Sequence, residues 1–554
     1  MSGFKQKKIA LFQLFLYLLL FTCFYLPFIK ENLLPGKIDT WFNLGIFKHY
    51  SNLIDHFLFN ASVLLPNYPE GKVFLYGESS LLTGLFFYIS DKLFSSDLTA
   101  YIAVYIGIQT LNSFSFALFL KQFLKTNRVV AFIGGLFFSF SAFNLAFYDN
   151  VVYAIWFPLF FSLYFLVKAM LSHKNSGYLI LAALCFYLQM YFSIYNFLMG
   201  AILEATLILL FYSLNFKKLA QLSFFYLLFI PITIPFIYLY LVNSHIDSSF
   251  NDYITIEIID GLGFQAKDLY RSFQSNVLYG SFSEYKNTVN DYWYLGNLGV
   301  GLFILSSIGF LASSTKLKLW SIFLLVTGLL FAFGPYWGNY KSPSFLLYQV
   351  VPVFKQFKLI FKFYYLVQIG FLLLSVQGLH YLSRIFPTKK ALLYSSVLLL
   401  FCIENLPTNR LEYSIPFEQA EVEAEDLRKL QDARFCTLFL PMCAPMFPEE
   451  NNKECFVEGR AIEFKYLYWQ AFLEINMLNG SNGTIPKNRV EMNEIFDSYG
   501  NIEAIQKLHT SHQLKYIYYD KKVGYTFKNP SLQSLKSELS NYKENENYAI
   551  FTIE

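Results

Sequence analysis

Apolar stretches of about twenty residues, the length that crosses a bilayer, recur along the first 405 positions of the chain, separated by short polar connections. Their lengths predict eleven membrane-crossing helices, at 9–29, 98–120, 129–148, 152–171, 177–197, 198–214, 219–241, 297–313, 319–336, 363–383 and 391–405. The run from Ile9 to Ile29 is long enough to cross ~30 Å of hydrocarbon at ~1.5 Å per residue. It is too long for a signal-peptide core, and Cys23-Phe-Tyr-Leu-Pro-Phe-Ile offers no small-residue cleavage site. It therefore reads as a retained signal anchor. Ser79–Tyr88 is apolar but short, and reads as a segment dipping into the interface.

The polar connections alternate in charge. One set carries only basic residues: Lys5, Lys7 and Lys8; Lys121, Lys125 and Arg128; Lys168 and Lys174; Lys217 and Lys218; Lys316 and Lys318; Arg384, Lys389 and Lys390. The other set carries the acids, apart from Glu204, which lies mid-span. Basic loops stay cytoplasmic, so the N-terminus is expected inside and the loops 30–97, 242–296 and 337–362 outside. Buried membrane carboxylates are costly and often functional, but the sequence assigns Glu204 no role.

Composition supports this reading. Of 554 residues, 55% are hydrophobic, 20% aromatic and 15% charged, too apolar for one soluble core. From residue 406 onward the character changes: 16 Lys and Arg stand against 22 Asp and Glu, a net of −6, which leaves +10 for 1–405. Such a tail is expected to fold as a separate small α/β domain outside the membrane. Glu423–Gln431 and Ile502–His512 have helical patterning, whereas Phe435–Leu440, Leu514–Tyr519 and Tyr548–Ile553 read as strands. The fold class is thus a polytopic α-helical membrane protein with an extracytoplasmic α/β tail.

Of the six cysteines, Cys23, Cys185 and Cys402 sit in spans as packing residues. Cys443 and Cys455 could pair in an oxidising compartment, leaving Cys436 over. Nothing has metal-ligand spacing. The basic residues are spread over short turns as topology requires, so nucleic acid is not an expected partner.

The first outer loop runs Leu-Pro-Gly-Lys-Ile-Asp39-Thr-Trp-Phe-Asn, then Asp55-His56, Asn-Tyr-Pro-Glu70-Gly and Tyr76-Gly-Glu78-Ser-Ser. Pro35-Gly36 makes a turn, and Thr40–Asn60 can form an amphipathic helix lying on the bilayer. Asp39 would stand at its start, either as an N-cap or as a carboxylate available for chemistry. Asp55-His56 reads as a solvated face. Asp149-Asn150, between two spans, suits a tight turn.

These residues resemble the GT-C superfamily of integral membrane glycosyltransferases, and within it the YfhO-like bacterial membrane proteins. The likeness rests on an acid just beyond the first span, an aromatic-rich helix, and Asn-Tyr-Pro-x-Gly. It continues in Asp291-Tyr-Trp-Tyr-Leu-Gly296 and Lys358-Leu-Ile-Phe-Lys362-Phe. In the tail it takes in Leu440-Pro441, Tyr468-Trp-Gln470, Leu478-Asn-Gly480-Ser and Lys515-Tyr-Ile-Tyr. The resemblance implies a polyprenyl-phosphate-linked sugar donor, an extracytoplasmic glycan, lipid or protein acceptor, usual inversion, and Asp39 as general base. It favours catalysis over capping for Asp39. Lys358 and Lys362, on one face if helical, would hold the donor phosphate, with Arg271 as a further cation; snorkelling to headgroups is the other reading of the lysines. Here the chain departs from the family's Arg-x-Pro-x-Arg-Phe, and Lys lacks the bidentate fork of Arg. Asp149, His56 and Glu78 are candidates for a second acidic or acceptor-side position. Only single acids occur at these places, without Asp-x-Asp, which argues against a divalent-metal requirement. Tyr468 and Trp469 read as packing residues or as faces for a sugar.

Two other function classes compete. A transporter or flippase for a lipid-linked glycan should show several mid-span ionisable groups and repeated halves; this chain has Glu204 and no repeat. A non-catalytic envelope-biogenesis factor could keep the fold and bind glycan through the tail.

Overall fold

The computed structural model describes residues 2–36, 38–55, 81–94, 96–148, 150–171, 176–212, 216–234, 263–280, 295–337, 340–350, 360–411, 413–419, 422–431, 434–440, 460–478, 492, 495–496, 501–522 and 530–554. The chain forms two compact units. One comprises Met1–Glu31, Ile102–Ile237 and Tyr253–Tyr413; the other Asn32–Tyr101, Tyr238–Asp252 and Ser414–Glu554.

In the first unit, helix occurs under every stretch expected to cross, because apolar runs of this length bury their backbone polar groups only as helix. Among the described residues six helical stretches are long and apolar enough to span: Lys8–Lys30, Asp97–Phe123, Val151–Leu171, Ile194–Phe211, Thr315–Ala332 and Ile360–Ile385. Arg128–Ser139, Ser176–Met190, Ala220–Thr233 and Val300–Ala312 are apolar but shorter. Two boundaries differ from the sequence reading. The stretch 129–148 is not one rod: the Arg128–Ser139 helix stops, and Ala142–Leu145 and two 3₁₀ turns follow. The division expected between 197 and 198 falls at Tyr191–Ser193, where the Ser193 hydroxyl caps the Ile194–Phe211 helix.

These breaks leave backbone groups that need partners away from water, and buried amide side chains supply them. Asn112 donates to the Ala154 carbonyl (2.6 Å) and accepts from the Trp156 amide (2.9 Å). Asn196 donates to the carbonyls of Tyr153 and Ile155, both at 2.9 Å. Gln189 donates to the Ile155 carbonyl (2.9 Å), Asn144 to that of Ser139 (3.1 Å) and Gln368 to that of Phe138 (3.2 Å). Elsewhere small residues allow close packing. A side chain on Gly309 or Gly378 would collide with the carbonyl of Leu374 or Leu305, so the Val300–Ala312 and Tyr364–Ile385 helices meet backbone to backbone. Glu404 caps the former helix from afar, accepting from the amides of Val300 (2.8 Å) and Gly301 (3.0 Å) and the Tyr279 hydroxyl (3.2 Å). Glu204 is buried and accepts from Tyr226 at 2.5 Å.

The second unit joins the first outer loop to the tail. Its four-stranded sheet runs Cys436–Leu440, Leu514–Asp520, Tyr548–Thr552, Tyr542–Glu544; the first pair is parallel and the others antiparallel. Leu438, Leu440, Ile517 and Phe551 meet Ile505 and Leu508 of the Asn501–His512 helix in one core. The strands and helices read from the tail sequence are present within a residue or two, since alternating and 3.6-residue patterns were both clear there. The Ile38–Asp55 helix does not lie on a surface as its amphipathic pattern suggested. It is buried between the Leu81–Phe94 and Arg460–Leu473 helices.

Candidate active site

Asp39 is set in place from the turn before it. Leu33–Pro35 pairs antiparallel with Ser414–Pro416, and Gly36 then takes φ +102°, which glycine tolerates without strain. The Thr40 hydroxyl donates to the Pro35 carbonyl (2.8 Å) and locks the new helix to that turn. Asp39 lies inside the first turn of Ile38–Asp55, not before it. It is therefore not the N-cap; the helix dipole favours its negative charge there. Asn43 donates to its carbonyl (2.8 Å), and the residue is 9% exposed.

Further along the same helix the packing is close. A Cβ on Gly45 would stand 3.0 Å from the Tyr468 nitrogen, so this helix and Arg460–Leu473 approach through backbone. Trp41 lies between Phe417 and Tyr468, with centroids at 5.9 and 5.3 Å. Lys48 bridges Asp97 (2.8 Å) and Asp91 (3.2 Å). Burial would lower its pKa, but the two carboxylates outweigh that and the net shift is upward. The Tyr468 hydroxyl donates to the second Asp97 oxygen at 2.8 Å. Burial, then the Asp97 charge, raise its pKa, so it stays a donor. Burial pushes His49 down to about 3, leaving it neutral at pH 7. Asp55 is exposed and paired with Lys92 at 2.7 Å, as a solvated face should be.

The cationic candidates belong to the other unit. Arg271 is buried and ion-paired with Asp268 three residues earlier (3.0 Å). Asp268 in turn accepts from the Gln265 amide (2.7 Å), and its carbonyl from Gly296 (2.9 Å). Tyr364 donates to the Gly296 carbonyl. Lys362 sits in the single 3₁₀ turn Ile360–Phe363 rather than on an α-helical face. It is 1% exposed, with its ammonium 2.6 Å from the Tyr153 ring centroid and 3.7 Å from that of Tyr195. Phe264 stacks on Tyr364 and touches Phe361, so the Asp268–Arg271 segment and the Lys362 turn share a wall. Phe264 also lines a cavity of about 530 Å³, with Gln265, Leu329, Phe333, Tyr336 and Trp337.

Lys358, Asp149, His56, Glu78 and the Cys443–Cys455 pair lie outside the described residues. Among the described residues, no group of three His, Cys, Asp or Glu is placed to hold a metal ion. Tyr468 and Trp469 are core residues: both are buried, and the indole donates to the Glu418 carbonyl (3.2 Å). Sequence reasoning missed Lys48, Asp91 and Asp97. The signal available was Asp97, an acid opening a span.

No family model and no curated protein matches the sequence. Solved structures do match. Arabinofuranosyltransferase AftD from Mycobacteria aligns at TM-score 0.57 and 10% identity, over 93% of this chain and 35% of that one. The Archaeoglobus fulgidus oligosaccharyltransferase aligns at 0.51 and 12%, over 94% and 70%. Both are GT-C glycosyltransferases. This chain has the GT-C fold. It spans about a third of the length of the mycobacterial enzyme, and at these identities the likeness is one of architecture. The chemistry of this chain has to come from its own residues.

Proposed function

We propose that the chain is a membrane glycosyltransferase that moves a sugar from a polyprenyl-phosphate-type donor to an extracytoplasmic glycan, lipid or protein. It sits in the cytoplasmic membrane with the N-terminus inside and the tail outside, as the basic connections require. The observation that carries the reading is Asp39: a carboxylate in the first turn of a buried helix, on the loop after the first span of a GT-C fold. A carboxylate fixed beside apolar walls acts as a general base at neutral pH, worth ~10²–10⁴ in rate. Here it removes the proton from the acceptor hydroxyl as that oxygen attacks the anomeric carbon, inverting it, and the lipid phosphate leaves with the bonding electrons. Lys362 and Arg271 are the cations for that phosphate, and the apolar cavity beside Phe264 suits a hydrocarbon chain.

The test is transfer by the detergent-purified protein, supplied with radiolabelled polyprenyl-phosphate sugars one at a time. Asp39→Asn should lose at least ~10²-fold in turnover while its melting temperature stays near wild type. Undiminished transfer removes Asp39 from the mechanism.

One observation favours a second reading, a non-catalytic envelope factor on the same fold. Arg271 is already neutralised by Asp268, and Lys362 is stored against two tyrosine rings. A factor of that kind would keep its envelope phenotype in Asp39→Asn, whereas the enzyme would lose it.

A further inference from the structure

We propose that Tyr468 is a positioning residue for Asp39, acting through Asp97 and Lys48; this rests on the reading of Asp39 as base. The link is continuous. The Tyr468 hydroxyl donates to one oxygen of Asp97 at 2.8 Å, and the other oxygen takes the Lys48 ammonium at 2.8 Å. Lys48 stands on the Asp39 helix and also reaches Asp91 (3.2 Å), to which Ser51 donates (3.4 Å). Asp97 is 4% exposed and Tyr468 fully buried, so the bond between them is shielded from water, and charge-assisted bonds are strong under such conditions. Two further contacts tie the same pair of helices: Asn52 donates to the Ala471 carbonyl (2.6 Å), and Gly45 lies against the Tyr468 backbone. The Arg460–Leu473 helix thus sets the angle and depth of the Asp39 helix by a polar latch on one side and backbone packing on the other. A tail segment whose aromatic suggested a sugar contact instead aims the base, and a small misplacement of a reacting group costs up to ~10²-fold.

The experiment compares wild type, Tyr468→Phe, Asp97→Asn and the double variant. Tyr468→Phe removes one oxygen and keeps the ring against Trp41. It should lower kcat on the order of tenfold with KM for the accepted polyprenyl-phosphate sugar unchanged. Hydrogen exchange of amides 43–52 should rise by a similar factor while strand Cys436–Leu440 stays protected. Because both substitutions cut one link, the double should cost no more than the larger single. Wild-type kcat and exchange in Tyr468→Phe, or equal loosening of helix and sheet, would overturn the proposal. Failure of the reading it rests on looks different: Asp39→Asn would then transfer sugar normally if another group is the base, and the wild type itself would transfer none if the chain is not an enzyme.

Discussion

The two units differ in how they satisfy polar groups inside: the first buries the Arg271–Asp268 ion pair but closes the breaks in its helices with amides, while the second relies on lysines set between two carboxylates. In the first, interruptions of the helices are closed by neutral amides: Asn112, Asn144, Gln189, Asn196 and Gln368 each answer a backbone group at a break. In the second, the buried polar centres are ionic: Lys48 between Asp91 and Asp97, and Lys465 between Glu418 (3.2 Å) and Asp520 (3.3 Å). The difference follows from solvent. A charge deep in hydrocarbon is expensive whatever its partner, while an amide with both ends bonded costs little. Where the fold leaves the apolar layer, paired charges become tolerable and fix geometry more strictly than dispersion alone.

Removing an amide should therefore be the severest lesion. Asn112→Leu leaves the Ala154 carbonyl and the Trp156 amide unsatisfied at once. At ~1–3 kcal/mol per orphaned group, it should cost about 4 kcal/mol, seen as a large drop in melting temperature in detergent. An unchanged melt would mean water or lipid headgroups fill the break. Next comes Lys465→Met, which strands the 2%-exposed Asp520 side chain. The expected loss is about 3 kcal/mol, the low end for a broken buried pair because Asp520 also accepts the Lys522 amide at 3.0 Å.

Helix under the first unit's apolar stretches was legible from length and hydropathy, though only six of the eleven expected crossings are long and apolar enough among the described residues, and the tail's strands were legible from alternation. The breaks were not, since Asn112 answers residues 42 and 44 positions away and Gln368 one 230 away, distances no local pattern encodes. Asp39 was legible as an acid after the first span. The burial of its helix was not, because its second apolar partner lies in the tail, beyond residue 460. The Arg271 pairing could have been read from Asp268-Leu-Tyr-Arg271; the tyrosine rings around Lys362 could not.

Acid should separate the units further. His49 has a folded-state pKa of about 3 against about 6.5 when unfolded. Between those values the unfolded chain binds the extra proton, so stability falls as pH falls, by ~1.4 kcal/mol per unit. At pH 5 the second unit should be about 2 kcal/mol less stable than at pH 7, and His49→Gln should flatten that dependence. A dependence that survives the substitution would locate the sensitivity elsewhere. The smallest effect belongs to Lys92, whose pair with Asp55 (2.7 Å) stands at the surface. Lys92→Met should leave the melt unchanged, because solvent screens exposed pairs.

The short ladder between Leu33–Pro35 and Ser414–Pro416, reinforced where Asn32 bonds Phe417 across 385 residues, sets a schedule for biosynthesis. At ~5–20 residues per second, a ribosome needs roughly 20–80 s to deliver the second strand after the first. Throughout that interval the Asp39 helix has no tail helix to cover it. A chain truncated before residue 414 would lack both the strand that pairs with Leu33–Pro35 and the helix that covers Ile38–Asp55.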